Sequence, residues 1–164
     1  MYKEYLKLQS FKNRIGTFTT TIIPAKSPII EFNGPTYFEK NLPNPNDPNI
    51  LQVGPDTFLA QSGNISDYIN HSCNPNCFIQ AVGNRAILYS MYVIPPNTEL
   101  TFDYSTTSTD TLDKWKMDCL CGENNCRKVI SGIQYVDDKI KQQMVDKGML
   151  PLYILEPNMF LKSW

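Results

Sequence analysis

The stretch Asn70-His71-Ser72-Cys73-Asn74-Pro75-Asn76 decides how this sequence is interpreted. It places polar, turn-forming residues between apolar neighbours, where a plain core strand would carry hydrophobic side chains. Taken by itself, the stretch predicts a tight, hydrogen-bonded loop that presents the single thiol of Cys73. Further along the chain, Glu99-Leu100-Thr101-Phe102-Asp103-Tyr104 predicts a strand that ends on an acid and a phenol.

The composition bounds the class of protein. The chain has 164 residues, of which 41% are apolar and 19% charged, which is typical of one domain with a real core. Its net charge of -1 gives no support for a dedicated nucleic-acid binder. No apolar run approaches the roughly 18 residues of a membrane span, and the first residues lack the apolar segment of a secretory signal. We therefore expect a soluble, intracellular protein, nuclear or cytoplasmic, that does not bind a membrane.

The composition also limits the chemistry. His71 is the only histidine, so multi-histidine metal sites are excluded and any Ser-His or Cys-His pair would have to use it. The sequence contains neither GxGxxG nor GxxxxGK, so it offers no support for a dinucleotide site or a P-loop. An odd number of cysteines, five, weakens the hypothesis of a disulfide scaffold.

The apolar pattern predicts many short strands and one helix. Short segments rich in β-branched and aromatic residues, bounded by proline, glycine or asparagine, occur at 18–23, 29–32, 85–94 and 99–102. Beyond Ser131, the spacing of 3, 4 and 4 residues in the set Ile133, Val136, Ile140 and Met144 is typical of one face of a helix, with Gly148 as its C-terminal cap. The fold class expected is mostly β with a C-terminal helix.

Three of the cysteines stand close together, in the pattern C-x-C-x4-C formed by Cys119, Cys121 and Cys126. Cys119 and Cys121 are too close in sequence to form a comfortable disulfide, but thiolates presented from such a turn can converge on one zinc ion. A structural zinc site needs four ligands, so the fourth must come from elsewhere, and Cys73 and Cys77 are the two candidates. The alternative is a set of buried or free thiols without a metal.

In this order along about residues 14–127, these motifs resemble a SET-domain protein lysine methyltransferase with a post-SET zinc segment. Supporting pieces are Ile15-Gly16-Thr17-Phe18, the strand and turn at 29–34, and the lead-in at 63–69. The resemblance implies a SET fold of several short sheets with a knot-like central loop. It divides the chain into a SET domain at 1–118, a post-SET zinc-binding segment at 119–130 and a C-terminal helical extension at 131–164.

The resemblance also implies site residues. The zinc ligands would be Cys73, Cys119, Cys121 and Cys126, so the family selects Cys73 over Cys77 as the fourth. S-adenosylmethionine would be bound by Ile15, Gly16, Thr17, Asn70, His71 and Leu120, the last of these lying against the adenine. Tyr104 would orient the amine and the methyl group in an aromatic channel. Phe102 would leave room for di- or trimethylation, and Tyr37 is a candidate for a second channel tyrosine.

The implied function is a protein-lysine N-methyltransferase that uses S-adenosylmethionine, with a histone tail or another protein as substrate and zinc as a structural ion. The alternative is a non-catalytic SET-like zinc module that binds peptides without turnover. Its main support is Arg14, which stands where the family's cofactor loop often has glycine and would be strained at a positive φ. For residues 131–164, closing the channel, extending the core and forming a dimer interface all stay open.

Overall fold

The computed structural model describes residues 1–11, 14–44, 47, 49–83, 85–109 and 115–156. Its strands and helices are β1 (Leu6–Phe11), β2 (Arg14–Thr19), β3 (Pro28–Phe32), β4 (Thr36–Phe38), β5 (Leu51–Gln52), β6 (Thr57–Leu59), β7 (Asn70–His71), β8 (Cys77–Val82), β9 (Arg85–Ser90), β10 (Thr101–Phe102), β11 (Lys116–Asp118), β12 (Val129–Ser131), α1 (Asp138–Asp146) and α2 (Leu152–Leu155). The predicted fold class, mostly β with a C-terminal helix, is confirmed.

The strands form small sheets rather than one large one. β1 pairs with β2 and β11 with β12, both antiparallel, while two three-stranded antiparallel sheets have the orders β3-β9-β8 and β4-β6-β5. The predicted strand at 85–94 is shorter in the structure, because β9 ends at Ser90 and Ile94 makes only an isolated bridge to Ile23. The predicted strand at 18–23 is also displaced, since β2 runs from Arg14 to Thr19.

One parallel pair joins the two motifs that were singled out in the sequence. Asn70 of β7 lies beside Thr101 of β10, and His71 lies beside Phe102. Parallel strands cannot be joined by a tight turn, so this pairing depends on the intervening chain returning through β8 and β9. The polar loop after Asn70 and the strand that leads to Tyr104 are thereby held side by side.

The C-terminal segment packs on the β8 face of the molecule. Ile133, Val136 and Met144 are all buried there, as the predicted apolar stripe requires, in a cluster with Phe78 and Met91. The helix itself starts later than the stripe suggested, at Asp138, because Asp137 adopts an extended conformation and its carboxylate accepts N–H bonds from the first turn.

The end of the same helix was predicted correctly. Gly148 has a φ of +65°, its N–H bonds to the Val145 carbonyl, and the next N–H, that of Met149, bonds to the Met144 carbonyl. These two bonds satisfy carbonyl groups that the helix leaves without partners.

Gly34 provides a test of the packing beside β4. A Cβ at this position would overlap the carbonyl oxygen of Ala60, which is backbone and cannot rotate away. We expect Gly34→Ala to lower the free energy of unfolding by about 2 kcal/mol, measured by urea denaturation. Gly54→Ala is the matched control, because the nearest atom to its Cβ would be the Thr57 Cβ at 3.3 Å. An equal loss in the two variants would contradict this account.

Candidate active site and metal centre

Tyr104 lies directly after β10, at the meeting point of the two motifs. Its backbone N–H donates to His71 Nδ1 at 3.2 Å, and its hydroxyl donates to the Ile69 carbonyl at 2.9 Å. Its ring lies edge-on to the imidazole, with 5.3 Å between centroids. Burial raises the pKa of Tyr104 to about 12, so the phenol is neutral at physiological pH. The side chain is therefore fixed in place by two bonds to the central loop.

A cavity opens on the other side of Tyr104. Its apolar wall includes Phe32, Ile69, Phe102 and Trp115, and the Tyr104 ring completes it. The Phe102 ring lies 4.8 Å from the ring of Tyr104 and 6.2 Å from that of Phe32, measured between centroids. The cavity is thus an aromatic pocket in which Tyr104 supplies a phenol.

Phe32 is a lining residue that the sequence analysis did not identify. Tyr37, the candidate for a second channel tyrosine, lies on β4 and pairs with Phe58 of β6. It is not part of the cavity wall. Phe32 ends β3, and the pairing of this strand with β9 carries the ring to the cavity. An aromatic residue at the end of a predicted strand was the only signal, and the sequence alone does not say which cavity it faces.

Asn70 joins Glu99 to the start of β2, which is a strand here and not the loop that the resemblance implies. Its amide Nδ2 donates to the Ile15 carbonyl at 2.9 Å and to Glu99 Oε1 at 2.8 Å. Glu99 also forms an ion pair with Arg14, 3.0 Å between Nη2 and Oε2. Gly16 lies against this cluster, and a Cβ there would come within 2.5 Å of Glu99 Oε1. A side chain at position 16 would therefore displace the Glu99 carboxylate that bonds to Asn70 and Arg14.

Arg14 does not have the strained backbone that the sequence analysis considered. Among the described residues, the non-glycine residues with positive φ are Lys26, Asn97 and Lys128. Arg14 is an ordinary strand residue, paired with Phe11 and neutralised by Glu99. An arginine in place of glycine at position 14 therefore causes no backbone strain.

The other residues predicted for cofactor binding are placed differently from one another. Thr17 is fully buried and its hydroxyl donates to the Ile65 carbonyl at 2.8 Å, so its side chain is engaged inside the protein. Ile15 is exposed next to Gly16. Leu120 is 85% exposed and is not part of the cavity wall. The structure thus brings Ile15, Gly16 and Asn70 together. Leu120 lies on the surface, apart from these residues and from the lining of the aromatic cavity.

Four thiols gather between the central loop and β12. Cys73 Sγ lies 3.7 Å from Cys119 Sγ, and Cys121 and Cys126 pack against the same small cluster. Cys77 is separate, fully buried in the main core with its thiol donating to Asn76 Oδ1. Although burial raises the pKa of the Cys121 thiol, hydrogen bonds from its surroundings lower it further, to about 7. Burial raises the pKa of Cys73 and of Cys119, so the feature that suits zinc is the closeness of the sulfur atoms.

His71 also approaches this cluster. One ligand atom each from His71, Cys73, Cys119 and Cys121 lie within 4.8 Å of one another. His71 Nε2 is 3.3 Å from Cys73 Sγ. Since Nδ1 accepts the Tyr104 N–H and burial lowers the pKa of His71 to about 4, the neutral ring carries its proton on Nε2. That nitrogen donates to the Cys73 sulfur and cannot at the same time bind a metal.

Backbone donors complete the environment of the thiols. The Arg127 N–H points at Cys73 Sγ at 3.4 Å, and the Lys128 N–H points at Cys126 Sγ at the same distance. Sulfur is a good acceptor for such bonds when it is negatively charged. The ligand atoms of Cys73, Cys119 and Cys121 lie within 4.8 Å of one another, and Cys126 packs against this cluster, so the residues present can hold one zinc ion.

A buried ion pair ties this metal centre to Tyr104. Both Nη atoms of Arg127 donate to the Asp103 carboxylate, at 2.5 and 2.6 Å. Asp103 is 1% exposed. Ser105 N–H donates to the same carboxylate at 3.1 Å. The sequence signal was an acid next to Phe102 and an arginine directly after Cys126, but their pairing appears only in the fold.

The model of the family described as SET domain matches residues 14–105, more than half of the chain. The chain belongs to the SET-domain family. No helix in the described residues is long and apolar enough to cross a membrane.

Similar proteins are much longer than this SET domain. Histone-lysine N-methyltransferase SETD1B of Xenopus laevis is 36% identical over 88 residues, which cover 50% of this chain and 4% of that protein. Histone-lysine N-methyltransferase set-2 of Caenorhabditis elegans is 39% identical over 72 residues, covering 42% of this chain and 4% of that protein. The solved structure of KRYPTONITE in complex with mCHH DNA, H3(1-15) peptide and SAH has a TM-score of 0.61 and 28% identity, covering 76% of this chain and 29% of that chain.

The metal centre of this SET domain can be tested by metal analysis. We expect about one zinc ion per chain, and we expect Cys121→Ser to lose most of it, because a structural site needs all four ligands. Cys77→Ala is the matched control and should keep its zinc, since this thiol lies outside the cluster. After cobalt substitution, the absorption spectrum should be that of four thiolates. A spectrum of three thiolates and one imidazole would contradict the role given to His71.

Proposed function

We propose that this chain is a protein-lysine N-methyltransferase that uses S-adenosylmethionine, and that the aromatic cavity receives the substrate lysine. The observation that carries the proposal is that Tyr104 lines this cavity while its hydroxyl donates to the Ile69 carbonyl, directly before Asn70. Tyr104 therefore belongs both to the cavity and to the chain around Asn70. Curated relatives in the family are histone-lysine N-methyltransferases, which supports the same reaction.

The loop at Asn70 suits the amino-acid end of the cofactor. Both amide hydrogens of Asn70 are used, by Ile15 and Glu99, so its Oδ1 is the atom left to accept from an ammonium group. Gly16 leaves room for the Glu99 carboxylate that holds the Asn70 amide, because a Cβ there would meet Glu99 Oε1. We therefore propose Ile15, Gly16, Asn70 and His71 as cofactor-binding residues, His71 mainly by holding the loop. Thr17 and Leu120 stay predictions.

The aromatic part of the cavity beside Tyr104 favours the neutral form of a lysine, whereas Asp47 and Asp67 belong to its polar part. A lysine amine normally has a pKa near 10.4, and an apolar wall disfavours its charged form. When bound, S-adenosylmethionine would supply a methyl group on a sulfonium sulfur: a neutral amine would bond to that methyl carbon in line as the carbon–sulfur bond breaks and the neutral thioether leaves. Phe32, Phe102 and Ile69 exclude water from the amine, and the fixed Tyr104 phenol offers its oxygen to orient it.

The zinc ion has a structural role in this proposal. With Cys73, Cys119, Cys121 and Cys126 as ligands, no position remains for water or substrate. The ion would hold the post-SET segment against the central loop. Arg127 of this segment forms an ion pair with Asp103, which is next to Tyr104 in the sequence. Trp115, which lies shortly before Cys119 in the sequence, is part of the cavity wall.

The proposed substrate is a histone tail, and an H3 tail is the first to try. The solved KRYPTONITE complex contains an H3(1-15) peptide, and curated relatives are named for histone lysines. In this chain, Asp47 and Asp67 lie in the cavity lining, where they would attract a basic peptide. A histone substrate would place the protein in the nucleus.

The proposal is tested by replacing the phenol of Tyr104. We expect the wild type to bind S-adenosylmethionine in calorimetry and to methylate an H3(1-15) peptide, detected by mass spectrometry. Tyr104→Phe should bind the cofactor as well but lower kcat about 100-fold, because the amine loses its orienting oxygen. Tyr37→Phe is the matched control and should leave kcat within about twofold. A wild type that binds the peptide but transfers no methyl group to H3 or other proteins would establish the non-catalytic module instead.

The number of methyl groups depends on Phe102. We propose that di- or trimethylation is allowed, because a phenylalanine beside Tyr104 leaves room that a tyrosine hydroxyl and its bound water would occupy. Phe102→Tyr should shift the product at exhaustive turnover toward monomethyl-lysine, read by mass spectrometry. Phe38→Tyr adds the same hydroxyl at an exposed position outside the cavity and should not change the product. Only monomethyl-lysine from the wild type would refute this assignment.

A further inference from the structure

Tyr153, in the C-terminal segment outside the SET match, is buried in the main core with 2% of its surface exposed. Its hydroxyl lies 2.8 Å from the Thr107 carbonyl oxygen and 3.0 Å from the Gln52 carbonyl oxygen. A phenol has one hydrogen, so the two carbonyls share it. Tyr153 therefore connects two segments, at 51–52 and 107–109, that are far apart in sequence.

Both segments form part of the cavity beside Tyr104. Leu51 and Gln52 form one wall of its lining, and Thr107 and Ser108 form the neighbouring wall. Tyr153 does not line the cavity itself, but it lies directly behind both of these walls. A change in its hydroxyl would therefore act on the cavity only through these two segments.

The side chain of Gln52 adds a second connection between the same segments. Gln52 is 4% exposed, and its Oε1 accepts the Thr109 N–H at 2.8 Å while its Nε2 donates to the Gly54 carbonyl at 2.9 Å. The C-terminal segment contributes once more, because the Ile133 N–H donates to the Ser108 carbonyl at 2.8 Å. These bonds hold the turn after Tyr104 against β5.

We propose that Tyr153 is a positioning residue for the substrate, which sets the spacing of the two cavity walls through its shared hydroxyl. This inference rests on the proposed function, since the cavity is taken to receive a peptide lysine. It also gives the C-terminal segment a part in the site, beyond packing on β8. A phenylalanine could fill the same space but would leave two buried carbonyls without this donor.

The test removes only the hydroxyl, with Tyr153→Phe. We expect KM for an H3(1-15) peptide to rise about fivefold to tenfold, with kcat and the Kd for S-adenosylmethionine within twofold of the wild type. Hydrogen exchange of the full chain provides a second measurement that does not need activity. The Thr109 amide, which bonds to Gln52, should exchange about tenfold faster, while the amides of Ile79 and Leu88 in the core keep the wild-type rate.

Tyr92→Phe is the matched control. It also removes one phenol that donates to a carbonyl, that of Pro75 at 2.8 Å, but this bond lies away from the cavity. It should change neither KM nor the exchange of Thr109. The same changes in both variants would show a general loss of stability and overturn the inference.

The remaining outcomes separate the inference from the proposed function. A faster Thr109 amide with unchanged KM would make Tyr153 purely structural, and an unchanged Thr109 amide would remove the connection itself; both overturn the inference while the methyltransferase stands. A wild type that transfers no methyl group overturns the proposed function, and the inference with it.

Discussion

The site depends on the buried ion pair between the Asp103 carboxylate and the Arg127 guanidinium. A carboxylate that is 1% exposed is costly unless its charge is paired and its oxygens accept hydrogen bonds. Arg127 and the Ser105 N–H meet both requirements. Removing one partner of such a pair typically lowers the free energy of unfolding by about 3–5 kcal/mol. The pair therefore holds the cysteine segment against the chain that follows β10, where Tyr104 lies.

Arg127 makes this constraint effective because it acts at two places. Its side chain holds Asp103, and its backbone N–H points at Cys73 Sγ. His71 connects the same two regions by another route, accepting from Tyr104 N–H and donating to Cys73. The thiol cluster and the phenol are therefore linked through two residues, and a shift of either would disturb the other. Tyr104 and Trp115, which line the cavity, also pack against the thiol cluster, so the two regions share side chains.

Burial also sets the protonation states in this part of the molecule. It lowers the pKa of His71 to about 4 and raises that of Tyr104 to about 12, so both side chains are neutral over the physiological range. Neutral groups keep fixed donor and acceptor roles, so the hydrogen bonds of His71 and Tyr104 do not change over this range. The polar network around Tyr104 thus serves to hold positions, whereas the aromatic wall formed by Phe32 and Phe102 supplies the dry surface.

Much of the fold and part of the site could be predicted from the sequence. The mostly-β class, the strand at β3, the apolar stripe and the glycine cap after α1 all follow from local patterns, because they depend on alternation, helical spacing and backbone freedom. The stripe does not show where α1 starts, since it begins in a separate 3₁₀ turn, Ile133–Tyr135, and Asp137 caps the α-helix that follows. Phe32 was missed, because a strand pattern shows that a ring is present but not which cavity it enters.

The sequence by itself determined which chemical groups are available: one imidazole, a cluster of cysteines, a phenol after a strand and a glycine in a polar loop. These are properties of residue type and short spacing. Only the tertiary structure decided that His71 faces a thiol, that Arg127 pairs with Asp103, and that Tyr153 lies behind the cavity. Each of these contacts joins residues whose burial and direction are set by the packing of several sheets, which no local pattern records.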